Sequence, residues 1–200
     1  MQQNSRRGWI REGVLACFFI SGISGLIYEV IWTRMLGLVF GNTTFAVSTV
    51  LTAYMAGLAL GSYLSGRYAD RVVRTLRTYA LLETGIGVYC FFIPFLISLL
   101  SGVYIPIQRS LHLSFYSFSL VRFIFCFFLL LIPTTLMGAT LPVFSGFYVE
   151  RDERFGHGIG RVYAVNTFGA FSGVVLSGFF MIAYLGVRNT IYIAVAGNLL

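Results

Sequence analysis

The sequence predicts an all-α integral membrane protein: a bundle of about six transmembrane helices, the last of them incomplete. Three observations carry that expectation. Of the 200 residues, 58% are apolar and 10% charged, against about 45–50% and about 25% in an ordinary soluble domain. Apolar stretches of spanning length recur along the chain, and arginines gather in short runs between them. The mean hydropathy of +0.84 excludes a soluble enzyme, a disordered tail and a disulfide-stapled secreted module.

A spanning helix needs about 20 mostly apolar residues to cross about 30 Å of hydrocarbon. Five windows satisfy this, over about 12–32, 45–66, 79–100, 119–147 and 162–185; a sixth runs over 189–200. Hydrocarbon offers the backbone no hydrogen-bonding partner, so the windows are helices; no alternating period suits a membrane barrel. The first window carries Glu29 and no small-residue cleavage pattern follows it, so it is a retained span rather than a signal peptide. Twelve residues at 1.5 Å each cover only about 18 Å, which makes the sixth window truncated. More helix, and a cytoplasmic domain, are expected after Leu200.

All 14 basic residues are arginine, and the net charge is +7. Arg6, Arg7 and Arg11 precede the first span; Arg67, Arg71, Arg74 and Arg77 lie between the second and third; Arg151, Arg154 and Arg161 lie between the fourth and fifth. Arg34, Arg109 and Arg188 lie on the opposite side, with Arg122 inside a span. Ten against three places the N-terminus and the even-numbered loops in the cytoplasm of a multi-pass inner-membrane protein. The clusters therefore have a topological reading, and no nucleic-acid partner is expected. Cys17, Cys90 and Cys126 sit in apolar runs, His112 and His157 in separate loops. No metal site is expected from that spacing.

Several residues stand out against the apolar background. Ala53, Gly57, Gly61 and Ser65, and again Gly169, Gly173 and Ser177, place small side chains every fourth position. Such stripes let helices approach closely; they serve packing inside the bundle, a substrate path or a dimer face. Pro133 and Pro142 fall inside the fourth window and predict a kinked or broken helix, with Thr134, Thr135 and Thr140 able to satisfy freed carbonyls. Broken helices at mid-depth often mark transporter sites; a structural kink is the plainer reading. Glu29, Glu83 and Arg122 are ionisable residues within or at the edge of spans and need partners. Depth favours Glu29 paired with Arg122 or Arg34, and puts Glu83 within reach of the arginine-rich loops. Either acid is a structural partner or a proton or cation site. Asn166 calls for an interhelical hydrogen bond. Gly156-His-Gly158-Ile-Gly160 follows no strand, so it reads as a flexible turn rather than a dinucleotide loop. No catalytic, cofactor-binding or metal-binding constellation is present.

Four strings occur in order: Ser24-Gly-Leu-Ile-Tyr-Glu-Val-Ile-Trp-Thr-Arg-Met-Leu36, Ala56-Gly-Leu-Ala-Leu-Gly-Ser62, Pro133-Thr-Thr-Leu-Met-Gly-Ala-Thr-Leu-Pro142 and Gly160-Arg-Val-Tyr-Ala-Val-Asn-Thr-Phe-Gly169. Together they resemble the N-terminal membrane region of bacterial spermidine synthase-like proteins, also described as fused major-facilitator/spermidine synthase proteins. The resemblance implies a following cytoplasmic aminopropyltransferase-like domain that binds decarboxylated S-adenosylmethionine and a polyamine such as putrescine. None of that domain's residues lie in this sequence. Gly66, Asp70, Arg71 and Arg74 also resemble the loop motif that follows the second helix of major-facilitator transporters, where such residues form a gating contact. Val73 and Thr75 depart from it. The fold implied is half of a major-facilitator-like bundle.

Three functions follow as expectations. The chain is the membrane domain that anchors or regulates an aminopropyltransferase, with no catalysis of its own. Alternatively it is half of a transporter for polyamines or another small organic cation, or a non-catalytic assembly module.

Overall fold

The computed structural model describes residues 2–68, 75–111, 114–149 and 155–200. These residues are almost wholly helical: α1 (Gln2–Phe40), α2 (Thr43–Tyr68), α3 (Thr75–Leu111), α4 (Phe115–Val149), α5 (Phe155–Val175) and α6 (Ile182–Leu199), with a π-helical turn over Leu176–Met181 between the last two. Five stretches are long and apolar enough to cross a membrane: Glu12–Phe40, Thr43–Tyr68, Thr75–Gln108, Phe115–Ser145 and Gly158–Leu199. The helices extend beyond the apolar windows at both ends because helical backbone continues past the hydrocarbon edge. Residues Gly156–Gly160, expected as a flexible turn, instead open α5 as regular helix.

Local chemistry explains the turns. α1 stops at Gly41, whose φ of 67° admits the left-handed cap and whose N–H donates to the Gly37 carbonyl at 3.0 Å. Asn42 then caps α2, its side-chain oxygen accepting from the N–H groups of Thr44 (2.8 Å) and Phe45 (3.4 Å). Ser114 opens α4 in the same way, accepting from Ser117 N–H at 3.3 Å.

The stretch Gly158–Leu199 is not one straight rod. Gly186 has φ 77° and ψ 167°, outside any helical conformation and open to glycine alone. On one side of it, Gly173 packs against Ile23 of α1; on the other, Gly197 packs against Ser24 and Ile20. Two positions 24 residues apart thus meet the same turn of α1, so the chain folds back on itself at Gly186. The reversal falls between the fifth and sixth windows.

Contacts fix the directions of the rest. Phe18 bonds with Asn166, and Phe19 and Ile23 abut Gly169 and Gly173, so α1 and α5 run parallel. Ser21 meets Glu83 and Phe18 meets Tyr79, so α3 shares that direction. α2 and α4 run together in the opposite sense, through Ala53–Thr134 and Ser62–Gly138. α6 beyond Gly186 descends beside α3, with Tyr192 on Phe91 and Asn198 on Glu83.

The core has two parts. The larger holds Tyr28, Ile31, Trp32, Leu36, Val50, Ile86, Ile93, Leu130 and Ile191. The smaller, near the N-terminal ends of α1, α3 and α5, centres on Phe18 stacked on Phe144 at 4.4 Å with Tyr79 edge-on at 5.2 Å. Large apolar side chains such as Phe95, Phe128, Phe171 and Phe179 are exposed on the perimeter. That inside-out distribution is what a lipid-facing surface requires.

Candidate functional site: a carboxylate inside the bundle

Glu83 stands two turns into α3 and is only 6% exposed. One carboxylate oxygen accepts from the Ser21 hydroxyl of α1 at 2.6 Å. The other accepts from the Asn198 side-chain amide of α6. Asn198 is oriented in turn by Tyr28 of α1, whose hydroxyl donates to the amide oxygen at 3.1 Å. Three helices therefore converge on one acid. Close approach of α1 to α6 depends on Gly197, where a Cβ would overlap Ser24, and Gly87 of α3 lies against Leu199. The cluster is made of neutral donors; among the described residues no arginine pairs with Glu83.

The Tyr79 ring, 7% exposed, borders the same carboxylate one turn earlier, with its buried hydroxyl beside Glu83 and Ser21. Tyr79 and Glu83 line a cavity of about 250 Å³, together with Val14, Cys17, Ala80 and Asn198. Cys17 is exposed, whereas Cys90 and Cys126 are buried. The arrangement sets a buried acid beside a phenol and an open volume.

The other singled-out residues have different roles. Glu29 is half-buried, and among the described residues no ion pair joins it to Arg122 or Arg34. The expected outer pair is not formed. Arg122 instead donates from Nη1 to the Phe40 carbonyl at 3.3 Å and lays its guanidinium over Phe118, 3.9 Å from the ring centre. The terminal carbonyls of α1 and an aromatic face take the place of a carboxylate. Arg34 is exposed. Among the described residues Glu83 is reached by the neutral Ser21 and Asn198; Arg71, Arg74, Arg151 and Arg154 of the arginine-rich loops lie outside the described residues. Asn166 makes the expected interhelical bond, its amide donating to the Phe18 carbonyl at 3.1 Å. Gly66 lies exposed in the last turns of α2, with open space around it. Asp70, Arg71 and Arg74 lie outside the described residues.

The small-residue stripes pack inside the molecule. A Cβ on Gly57 would overlap Thr134, and one on Gly61 the backbone at Thr135 and Ala139. Gly138 of α4 returns the close approach onto Leu58. The polar link here is Ser62 rather than Ser65, which bonds only within its own helix. Gly169 and Gly173 seat α5 on Phe19 and Ile23 of α1.

α4 is continuous helix through Pro133 and Pro142, so of the kinked or broken helix expected there the break is absent. A proline at position i frees the carbonyl at i−4. For Pro133 that is Leu129, which accepts from the Tyr89 hydroxyl of α3 at 3.0 Å. For Pro142 it is Gly138, which accepts from Ser62 of α2 at 2.9 Å. Thr134, Thr135 and Thr140 bond to Leu130, Leu131 and Met137 instead, carbonyls the prolines do not free. The helix survives because two neighbours replace the missing donors.

Ser21, Tyr28, Tyr79 and Asn198 were not legible as site residues. Each is a single polar or aromatic residue in an apolar run. The available signal was that Ser21 and Tyr28 lie seven apart on one helix, and hence on one face. Family models, curated proteins and solved structures yield no match to this chain.

Proposed function

We propose that this chain is a polytopic membrane domain that binds a small organic cation inside its bundle, with Glu83 as the counter-charge. The observation that carries the reading is the three-helix convergence on Glu83: a buried acid with no arginine partner among the described residues, beside a cavity. Ionisable groups at membrane depth are costly and mark proton, ion or substrate sites. An acid kept only to tie helices together would be better served by an arginine or by an amide.

The wider frame of the reading rests on resemblance and topology. We read the bundle as six crossings, the last two reversing at Gly186, and as half of a major-facilitator-like fold. On the resemblance to spermidine synthase-like membrane regions we read it as the partner of a cytoplasmic aminopropyltransferase-like domain, using decarboxylated S-adenosylmethionine, in the bacterial inner membrane with the N-terminus cytoplasmic. Binding at Glu83 would then serve delivery or sensing of an amine. The anchoring role alone needs no such site.

Native Cys17 provides the test. It is exposed at the cavity, while Cys90 and Cys126 are buried and report an intact fold by staying unreactive. The full chain in lipid nanodiscs is labelled with a thiol-selective methanethiosulfonate at pH 7, with putrescine or n-pentylamine as probe. Either amine should slow Cys17 labelling several-fold in wild type and leave it unchanged in Glu83→Gln. Absence of protection by both amines overturns the reading.

A further inference from the structure

A larger cavity lies away from Glu83, at the Gly186 end of the bundle. We infer that it is a lipid site, holding an acyl chain of an anionic phospholipid whose phosphate sits on Arg188.

Three helices build the groove. α3 supplies Phe91, Phe92 and Phe95, α6 supplies Ile191 and Tyr192, and Met35 of α1 completes the lining. Its volume is about 670 Å³, within the range of small-molecule sites, about 300–1,000 Å³. The arrangement follows from the reversal at Gly186, which sends α6 down beside α3. Arg188 therefore stands close to the turn, and Tyr192 lies one turn deeper with its ring stacked on Phe91 at 5.6 Å. Phe91 in turn meets Phe92 edge-on at 5.2 Å. Ile191 belongs to the buried core, whereas Phe91, Phe92 and Phe95 are exposed. The groove is thus closed at its floor and open on the perimeter, the surface that faces lipid.

Charge selects the headgroup. The apolar walls accept any acyl chain, because lipid tails are as apolar as the side chains around them. Discrimination rests on Arg188. Its Nε donates to the Tyr192 hydroxyl at 3.2 Å, and its guanidinium lies 5.8 Å from that ring centre. Tyr192 therefore holds the guanidinium at the mouth of the groove. Among the described residues neither Nη group has a hydrogen-bond or carboxylate partner. The described acids do not supply one: Glu12 is engaged by Arg161, Glu83 by Ser21 and Asn198, and no ion pair joins Glu29 to Arg188. A phosphodiester is the complement of this fork, placing two oxygens on two N–H donors. The Tyr192 hydroxyl accepts from Arg188 and keeps its own O–H to donate. In a zwitterionic headgroup the ammonium offsets the phosphate charge within the same molecule; in phosphatidylglycerol nothing does. One basic residue at a membrane surface then favours the anionic lipid about fivefold, or about 1 kcal/mol.

Quenching by brominated lipid tests the site. The full chain carrying Phe95→Trp is placed, one copy per disc, in phosphatidylcholine nanodiscs. A fraction of the lipid is brominated on its acyl chains, either as phosphatidylglycerol or as phosphatidylcholine. Phe128→Trp, on the exposed face of α4, reports ordinary lipid contact, and the signal of Trp9 and Trp32 is subtracted using the unsubstituted chain. The ratio of phosphatidylglycerol to phosphatidylcholine association should be about fivefold higher at position 95 than at position 128. Adding Arg188→Gln should make the two ratios equal, while brominated phosphatidylcholine still quenches at position 95 and so shows the groove intact. Without any variant at Arg188, salt at about 1 M, where the Debye length is about 3 Å, should shrink the excess. Equal ratios at the two positions overturn the inference. An excess that survives both Arg188→Gln and high salt overturns it too, because the charge of Arg188 is then not what selects the lipid. Absence of quenching at position 95 by either lipid means that protein covers the groove, a second copy or another segment of the chain, and removes the site.

Discussion

Tyr89 and Ser62 each do a job created by a proline on another helix. Without its N–H, Pro133 leaves the Leu129 carbonyl open, and the Tyr89 hydroxyl fills it; Ser62 does the same at Gly138 for Pro142. Interhelical hydrogen bonds in membrane proteins contribute on average about 0.6 kcal/mol, up to about 1.7. Tyr89→Phe should therefore destabilise the chain by about 1 kcal/mol, read as a lowered unfolding midpoint in mixed micelles. Pro133→Ala restores an N–H to Leu129, so the same Tyr89→Phe change should cost much less in that background. An equal loss in both backgrounds would show that Tyr89 contributes by packing alone. The prolines were legible in the sequence because their chemistry is local. Their partners were not: a hydroxyl 40 residues away along the chain carries no mark of the carbonyl it will meet. The same limit explains why, among the described residues, Glu29 and Arg122 form no ion pair with each other. Depth arguments place two charges at one level of the bilayer, but they do not say which faces of their helices meet. Arg122 found a helix end and an aromatic ring first.

Helices here are joined by small residues more than by large ones. α2 and α4 make the most extensive contact in the molecule, and it is built on Gly57, Gly61 and Gly138, each with the neighbouring backbone or Thr134 in the space a Cβ would occupy. Lipid is as apolar as a leucine face, so helices associate through close packing and polar links rather than through exclusion of water. The four-residue spacing on α2 and α5 was readable as a close-approach stripe, but three uses of it stayed open until the partners were placed. Both stripes turn out to be spent inside the bundle. Gly57→Leu should prevent α2 and α4 from docking, lowering the yield of monodisperse protein in detergent or its unfolding midpoint by many degrees. Gly66→Leu, in open space on the same helix, should leave both within error. If the two variants behave alike, the α2–α4 seam is not the tight contact described. α6 shows the complementary case. Its direction depends on one non-helical glycine, Gly186, which falls in the gap between the fifth and sixth apolar windows, over 186–188.

The whole molecule has two chemically distinct ends. Glu12 and Arg161 meet at one, where α1 and α5 begin. Arg67 closes α2 and Arg77 opens α3, and the helix directions bring both to that same end. Gly41, Asn42, the Phe40–Arg122 contact and Gly186 lie at the other. The alternation of helix direction was legible from the arginine runs, because the cost of translocating clustered positive charge acts on segments and not on side-chain contacts. The Glu83 cavity, lined by Val14 and Leu76 near the starts of α1 and α3, belongs to the arginine-rich end, so the orientation of the chain decides which compartment supplies the ligand. With Cys17 replaced by alanine, a cysteine at Thr43 and one at Arg67 occupy opposite ends of a single helix, both exposed. In intact cells a membrane-impermeant thiol reagent should label Thr43→Cys directly and Arg67→Cys only after permeabilisation. The inverse pattern would turn the bundle over and make the cavity an external receptor site. Labelling of both from outside would mean that α2 does not cross the bilayer at all. The pattern expected from the arginines would give the cavity a cytoplasmic mouth, and the inverse pattern an external one.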